Sequence, residues 1–264
     1  MPVLSARTRS TNEKRLLSTS NSTTSSGNGS REGDDCLKEL EGIANIVSAA
    51  RSYFQTRLAM GEDSIVLGAG RGRSRMAERS PEEALALLEK RVARCKRCPL
   101  HKTRTNVVFG TGSRKTGLVF IGEAPGRDED LQGKPFVGRA GQLLTRIIEA
   151  VKFDREDVYI TNVIKCRPEG NRDPLPEEVD LCSIHLAEQL EILKPKVICA
   201  LGRFAAQAMS GLNLTMASYR GENLFYRGTR VVATYHPAAC LRNPSLKRAV
   251  WEDVQKLMEI WKNA

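Results

Sequence analysis

Aromatic residues make up only 5% of the 264-residue sequence, too few for an extended platform on which successive bases stack. Long apolar runs are also missing. None approaches the roughly 20 residues that cross a bilayer, and no short apolar stretch with a small-residue cleavage site follows the first residues. The expectation is a soluble, intracellular protein without a membrane partner. Acidic residues are outnumbered, with 31 Asp and Glu against 41 Lys and Arg, for a formal net charge of +10. That balance favours a polyanion as partner over an acidic protein or a neutral metabolite. Neither G-x-G-x-x-G nor a Walker loop is present, which sets nucleotide phosphate binding aside.

What is present divides into three stretches. Residues 1–36 are dominated by Ser, Thr, Asn, Gly and Arg, with "STSNSTTSSGNGS" at the centre, and read as a disordered basic tail. Being rich in Arg and Ser and poor in acids, this tail also has the composition of an organellar transit peptide. Residues 37–79 hold a helical pattern (37–60) and a Gly/Arg linker, "GAGRGRSR". Residues 80–264 read as one folded domain. Its first helix has Ser80 as N-cap, Pro81 at the first helical position and Glu83 three residues after the cap.

Four short, mostly β-branched runs follow: "GLVFI" (117–121), "VYITNVI" (158–164), "KVICAL" (196–201) and "RVVATY" (230–235). Helical patterns separate them, so the expected fold is α/β, a three-layer α/β/α sandwich around a central four-stranded parallel sheet. "ENLFYRGTRVVATY" reads as a hairpin into the last strand, turning at "RGT". A last helix, 245–262, is expected to bury Val250, Trp251, Val254, Leu257 and Trp261. Ligands of such sheets bind at the carboxyl ends of the strands. One site can therefore collect Glu123, Asn162, Gly202 and His236.

Seven cysteines are an odd number for a disulfide framework, and four have metal-like spacing. Cys95 and Cys98 form C-x2-C; Cys166 and Cys182 form C-x15-C. Four thiolates from two segments suit zinc or a 4Fe-4S cluster, and spacing does not choose between them. Cys199 and Cys36 read as packing or free thiols, and Cys240, which follows "HPAA", as near the site without acting in it. On these grounds alone, a non-catalytic nucleic-acid-binding module with a structural four-cysteine zinc site is the alternative to an enzyme.

Three stretches, "GEAPGRDEDLQGKPFVGRAGQLL", "VYITNVIKCRP" and "HPAACLRNP", occur in this order together with the four cysteines. In combination they resemble the family 4 uracil-DNA glycosylases over about residues 81–262. The resemblance implies a uracil-DNA glycosylase-like sheet and a 4Fe-4S cluster on Cys95, Cys98, Cys166 and Cys182. It also implies a monomeric enzyme of base excision repair, a monofunctional N-glycosidic hydrolase that releases uracil from single- or double-stranded DNA and leaves an abasic site. A base inside a duplex is out of reach, so the nucleotide must be flipped into a pocket.

Phe136 matches the aromatic that stacks on uracil, and Asn162 the amide that reads its edge, within a pocket that includes Gly122 and Ala124. His236 matches the residue that stabilises charge on the departing base through O2. Glu123 is the expected carboxylate near the sugar or the attacking water, either as a base or holding the water in place. The better-known family 1 enzymes carry an Asp where this chain has Ala124. Glu129 is the runner-up carboxylate, and Asp128 and Asp130 are expected on a solvated rim. Leu241 or Arg242 is expected to wedge into the duplex, with Arg139 also on the DNA.

Overall fold

The computed structural model describes residues 79–264. The expected tail, the helix over 37–60, most of the linker and Cys36 lie outside the described residues. Helix α1 (Pro81–Ala93) starts as its sequence dictates: Ser80 Oγ accepts from the Glu83 N–H at 3.2 Å, and the Glu83 carboxylate accepts from the Ser80 N–H at 3.0 Å. Ala84, Leu88 and Val92, four residues apart, form its buried stripe.

The sheet has six strands in the order β1-β3-β2-β4-β6-β5. Its centre is the expected parallel set: β3 (Tyr159–Asn162), β2 (Leu118–Gly122), β4 (Val197–Leu201) and β6 (Thr229–Thr234). Two short antiparallel strands extend it, β1 (Thr111–Gly112) on β3 and β5 (Leu224–Tyr226) on β6. The β5–β6 hairpin turns at Arg227 and Gly228, both at positive φ (46° and 85°), the mark of a two-residue type I′ turn. A two-residue strand such as β1 leaves no periodic signal in the sequence.

Every residue of the β2 and β4 strands is buried, because helices cover both faces. Alternate residues serve opposite layers. Leu118 and Phe120 meet Leu144 and Ile148 of α3 (Arg139–Ala150) and Leu257 of α8 (Leu246–Asn263). Val119 and Ile121 join the cluster of Leu186 and Leu190 from α4 (Pro176–Leu193) and Ala205 and Ala206 from α5 (Arg203–Ser210). Three further short helices complete the domain: α2 (Arg127–Gln132), α6 (Met216–Gly221) and α7 (Pro237–Arg242).

Two expectations are corrected. Trp251 is 43% exposed, since the inward stripe of α8 is Val250, Val254 and Leu257 and the indole stands about 100° off it. The buried neighbour is instead Asp253, whose carboxylate accepts from Thr234 Oγ1 at 2.6 Å and Arg220 Nε at 2.7 Å. Asp130 is also not on a solvated rim. It is 3% exposed and accepts from the backbone N–H groups of Thr105 and Asn106. The acidic run is helix α2 instead of an open loop, with Glu129 and Asp130 accepting from backbone N–H groups and Asp128 exposed.

Candidate active site

Parallel register sets the site. Gly122 pairs with Asn162 across β2 and β3, and Leu201 with Thr234 across β4 and β6, so the strands end at one level. Beyond that level the structure brings Gly122, Phe136, Asn162 and His236 together. A Cβ added to Gly122 would lie 2.4 Å from Asn162 Oδ1 and 2.5 Å from Phe136 Cζ; only glycine leaves both groups in place. The rings of Phe136 and His236 stand 5.5 Å apart, tilted by 30°. Gly202, at the end of β4, sits against the His236 side chain.

Asn162 is 1% exposed, and among the described residues its Oδ1 has no hydrogen-bond partner. A buried acceptor left unpaired costs about 1–3 kcal/mol, and this one is free to accept from a ligand's N–H. His236 caps α7, and its Nδ1 accepts from the Ala238 N–H at 3.1 Å. With Nδ1 accepting, the proton of the neutral ring sits on Nε2, which becomes a donor. Burial, and then the nearby Arg242, push the imidazole down to about 4, so the ring is neutral near pH 7.

Phe136 is held in an unusual conformation, with φ of 53°, where a side chain costs about 1–2 kcal/mol. Its turn is clamped from three sides. Glu129 Oε1 accepts from the N–H groups of Val137 (2.9 Å) and Gly138 (3.0 Å), while Oε2 accepts from Gly126 (3.1 Å). Arg155 donates to the Pro135 carbonyl at 2.7 Å and to Thr145 Oγ1 at 3.0 Å. Gly141 of α3 lets the chain approach, since a Cβ there would lie 1.8 Å from the Phe136 carbonyl oxygen. Glu129 therefore supports the aromatic, and Arg155 is a participant that no spacing in the sequence announced.

Glu123 follows Gly122, but its side chain turns to the other face. It lines a cavity of about 600 Å³ with Val163, Asp173, Arg203 and Phe204, and Phe136, Asn162 and His236 are not among the lining residues. Burial, and then the Asp173 carboxylate, raise its carboxyl to about 7, against the opposing pull of Arg203. Ala124, half-buried, packs against the same layer as Val119 and Ile121 and has no ionisable group to offer. Leu241, half-buried, and Arg242, exposed, stand at the end of α7 just after the His236 cap, and Arg139 is exposed at the start of α3.

The four expected cysteines line one small cavity together with Arg104, Lys165 and His185. Arg104 joins the two halves: its guanidinium donates to Cys166 Sγ at 3.0 Å and to the Cys95 carbonyl at 2.9 Å. His185 Nε2 lies 3.2 Å from Cys95 Sγ. Among the described residues no group of three or more His, Cys, Asp or Glu side chains is placed to hold a single metal ion. An all-sulfur donor set around a shared cavity, with the Arg104 guanidinium donating to one of the sulfurs, fits an anionic thiolate-bound cluster. Cys199 and Cys240 are buried in other clusters of the core.

Residues 109–255 match the Uracil DNA glycosylase superfamily. The type-4 uracil-DNA glycosylase of Archaeoglobus fulgidus is 47% identical over 186 residues, which cover 67% of this chain and 94% of that protein. That of Thermotoga maritima is 47% identical over 179 residues, 66% of this chain and 93% of its own. That of Saccharolobus solfataricus is 45% identical over 184 residues, 66% and 85%. Likeness of this degree along nearly the whole length of such relatives places the chain in the uracil-DNA glycosylase superfamily, within the type-4 group.

Proposed function

We propose that this protein reads uracil in DNA through Asn162, Phe136 and His236 and cuts its N-glycosidic bond, as the uracil-DNA glycosylase activity of its family requires. The observation that carries the reading is the buried, unpaired Oδ1 of Asn162 between a clamped aromatic and a histidine whose proton is fixed on Nε2. Oδ1 accepts from uracil N3–H while the amide N–H donates to O4. Cytosine presents an acceptor at N3 and a donor at C4, the opposite pattern. Phe136 stacks on the flipped base, and Gly122 lets the ring lie close.

As the bond breaks, negative charge moves onto uracil and positive charge onto the sugar. His236 Nε2–H donates to O2, and because the ring is neutral it stabilises the anion without handing over a full proton. Glu123 acts as carboxylate from the neighbouring cavity that it lines, on the side of the sugar and of the water that captures the cation, while the base occupies the pocket of Phe136, Asn162 and His236. Leu241 or Arg242 fills the space the nucleotide leaves, and Arg139 contacts a phosphate.

Cys95, Cys98, Cys166 and Cys182 would hold a 4Fe-4S cluster, which when bound supplies a cross-link between α1, the end of β3 and α4. Glycosidic hydrolysis moves no electrons, so no step of the reaction calls on it. The catalytic unit is residues 80–264, acting as a monomer on uracil-containing DNA in the cytoplasm, at the nucleoid. Among the described residues no helix is long and apolar enough to cross a membrane. The test is incubation with a single-uracil oligonucleotide followed by alkali. A nick at the uracil is expected in both single and double strands, and an iron-loaded, folded protein that leaves both intact would refute the assignment.

A further inference from the structure

Lys165 is a fully buried amine at the junction of two sites. It is 1% exposed and lines the small cavity of the four cysteines, beside the Cys166 and Cys182 side chains. Its backbone N–H faces the Cys182 sulfur. The side chain turns the other way: Nζ donates to the backbone carbonyl of Asn162 at 2.7 Å and to Thr161 Oγ1 at 2.7 Å. Thr161 Oγ1 in turn donates to the Phe109 carbonyl at 2.8 Å, which also accepts from Gln189 at 3.0 Å. A buried amine is costly unless its hydrogen bonds are met, and the two that Nζ makes to the Asn162 and Thr161 oxygens meet that need.

We infer that Lys165 is a positioning residue that couples the four-cysteine site to uracil recognition. One end of the residue rests on the cysteines, and the other fixes the main chain of Asn162 so that Oδ1 meets uracil N3–H. The inference rests on the proposed readings of Asn162 and of the cysteines. It gives the cysteine site a consequence in a hydrolase: the segment anchored by Cys166 carries the lysine that holds the main chain of the base-reading amide.

The experiment compares wild type, Lys165→Met, which removes charge and donor, and Lys165→Gln, which keeps a neutral donor. Iron content, absorption near about 400 nm and thermal midpoint are measured beside KM and kcat on a uracil oligonucleotide. Lys165→Met is expected to keep its iron and fold, to raise KM about tenfold and to change kcat by less than about threefold; Lys165→Gln recovers part of the KM. Wild-type KM in an iron-loaded Lys165→Met protein overturns the inference. So does loss of iron and fold in both variants, which would make the lysine purely structural. Failure of the underlying readings looks different, because it shows in wild type as absent iron or absent excision.

Discussion

Glu123 lies one residue beyond Gly122, yet it lines a cavity that Phe136, Asn162 and His236 do not. Its carboxyl, raised to about 7, is half protonated at neutral pH, and the ionised form is the one that steadies a cationic sugar or a water. Activity is therefore low below pH 7, rises through about 7 and then levels, and this limb disappears in Glu123→Gln. Asp173→Asn removes a neighbouring negative charge and shifts the limb to lower pH; a pH profile of kcat/KM checks both. His236, pushed down to about 4, adds no limb of its own above about pH 5. Gly122→Ala makes a second prediction at this scale. Its Cβ would crowd Asn162 Oδ1 and the Phe136 ring, so kcat/KM falls by about a hundredfold or more while the thermal midpoint moves little. Residue types were legible at this scale because a strand-end Asn, a His-Pro and a Gly before Glu each carry recognisable chemistry. Direction was not: nothing in "GEAPG" says that Gly122 and Glu123 serve different cavities, which follows from the alternation of β2 as it ends.

The element that decides the aromatic's position is α2 with the turn it clamps. Glu129→Ala leaves the N–H groups of Gly126, Val137 and Gly138 without their acceptor and frees a turn whose Phe136 is already in a disfavoured conformation. Loss of about 1–3 kcal/mol of stability and a raised KM are expected, with Glu129→Gln milder because its carbonyl still accepts. Denaturant melts and steady-state kinetics on the two variants decide it. The sequence concealed this element. "RDED" looks like a solvated run because charge dominates its composition, whereas in the structure six residues make a helix whose Glu129 and Asp130 meet backbone donors while Asp128 stays exposed. Trp251 misled for the converse reason, an apolar residue one position away from the stripe that faces the core. The Ser80 cap and the "RGT" turn were legible because each signal is contained in three or four adjacent residues.

At the scale of the molecule, the alternation of buried strands and amphipathic helices was enough to give the parallel sheet, and its register brought the motifs to one level. The two-residue edge strand β1 and the Arg155 clamp depend on contacts between distant segments, so neither had a local trace. The type-4 relatives match about two thirds of this chain over 85% or more of their own length, which leaves the remaining third outside the shared unit. Residues 79–264 produced alone are expected to fold and to excise uracil within about threefold of the full chain, while the removed basic residues change the salt dependence of DNA binding. Parallel excision assays over a range of salt concentrations on the two proteins test this. The level ends of β2 and β3 carry one more consequence. Asn162 stands opposite Gly122 in one pairing only, and a slip of β3 by a single residue turns its side chain to the far face. Recovered excision after dilution from denaturant is thus a clock for correct strand alignment. It runs behind the return of helical signal, and it separates chains that have merely collapsed from those that have paired properly.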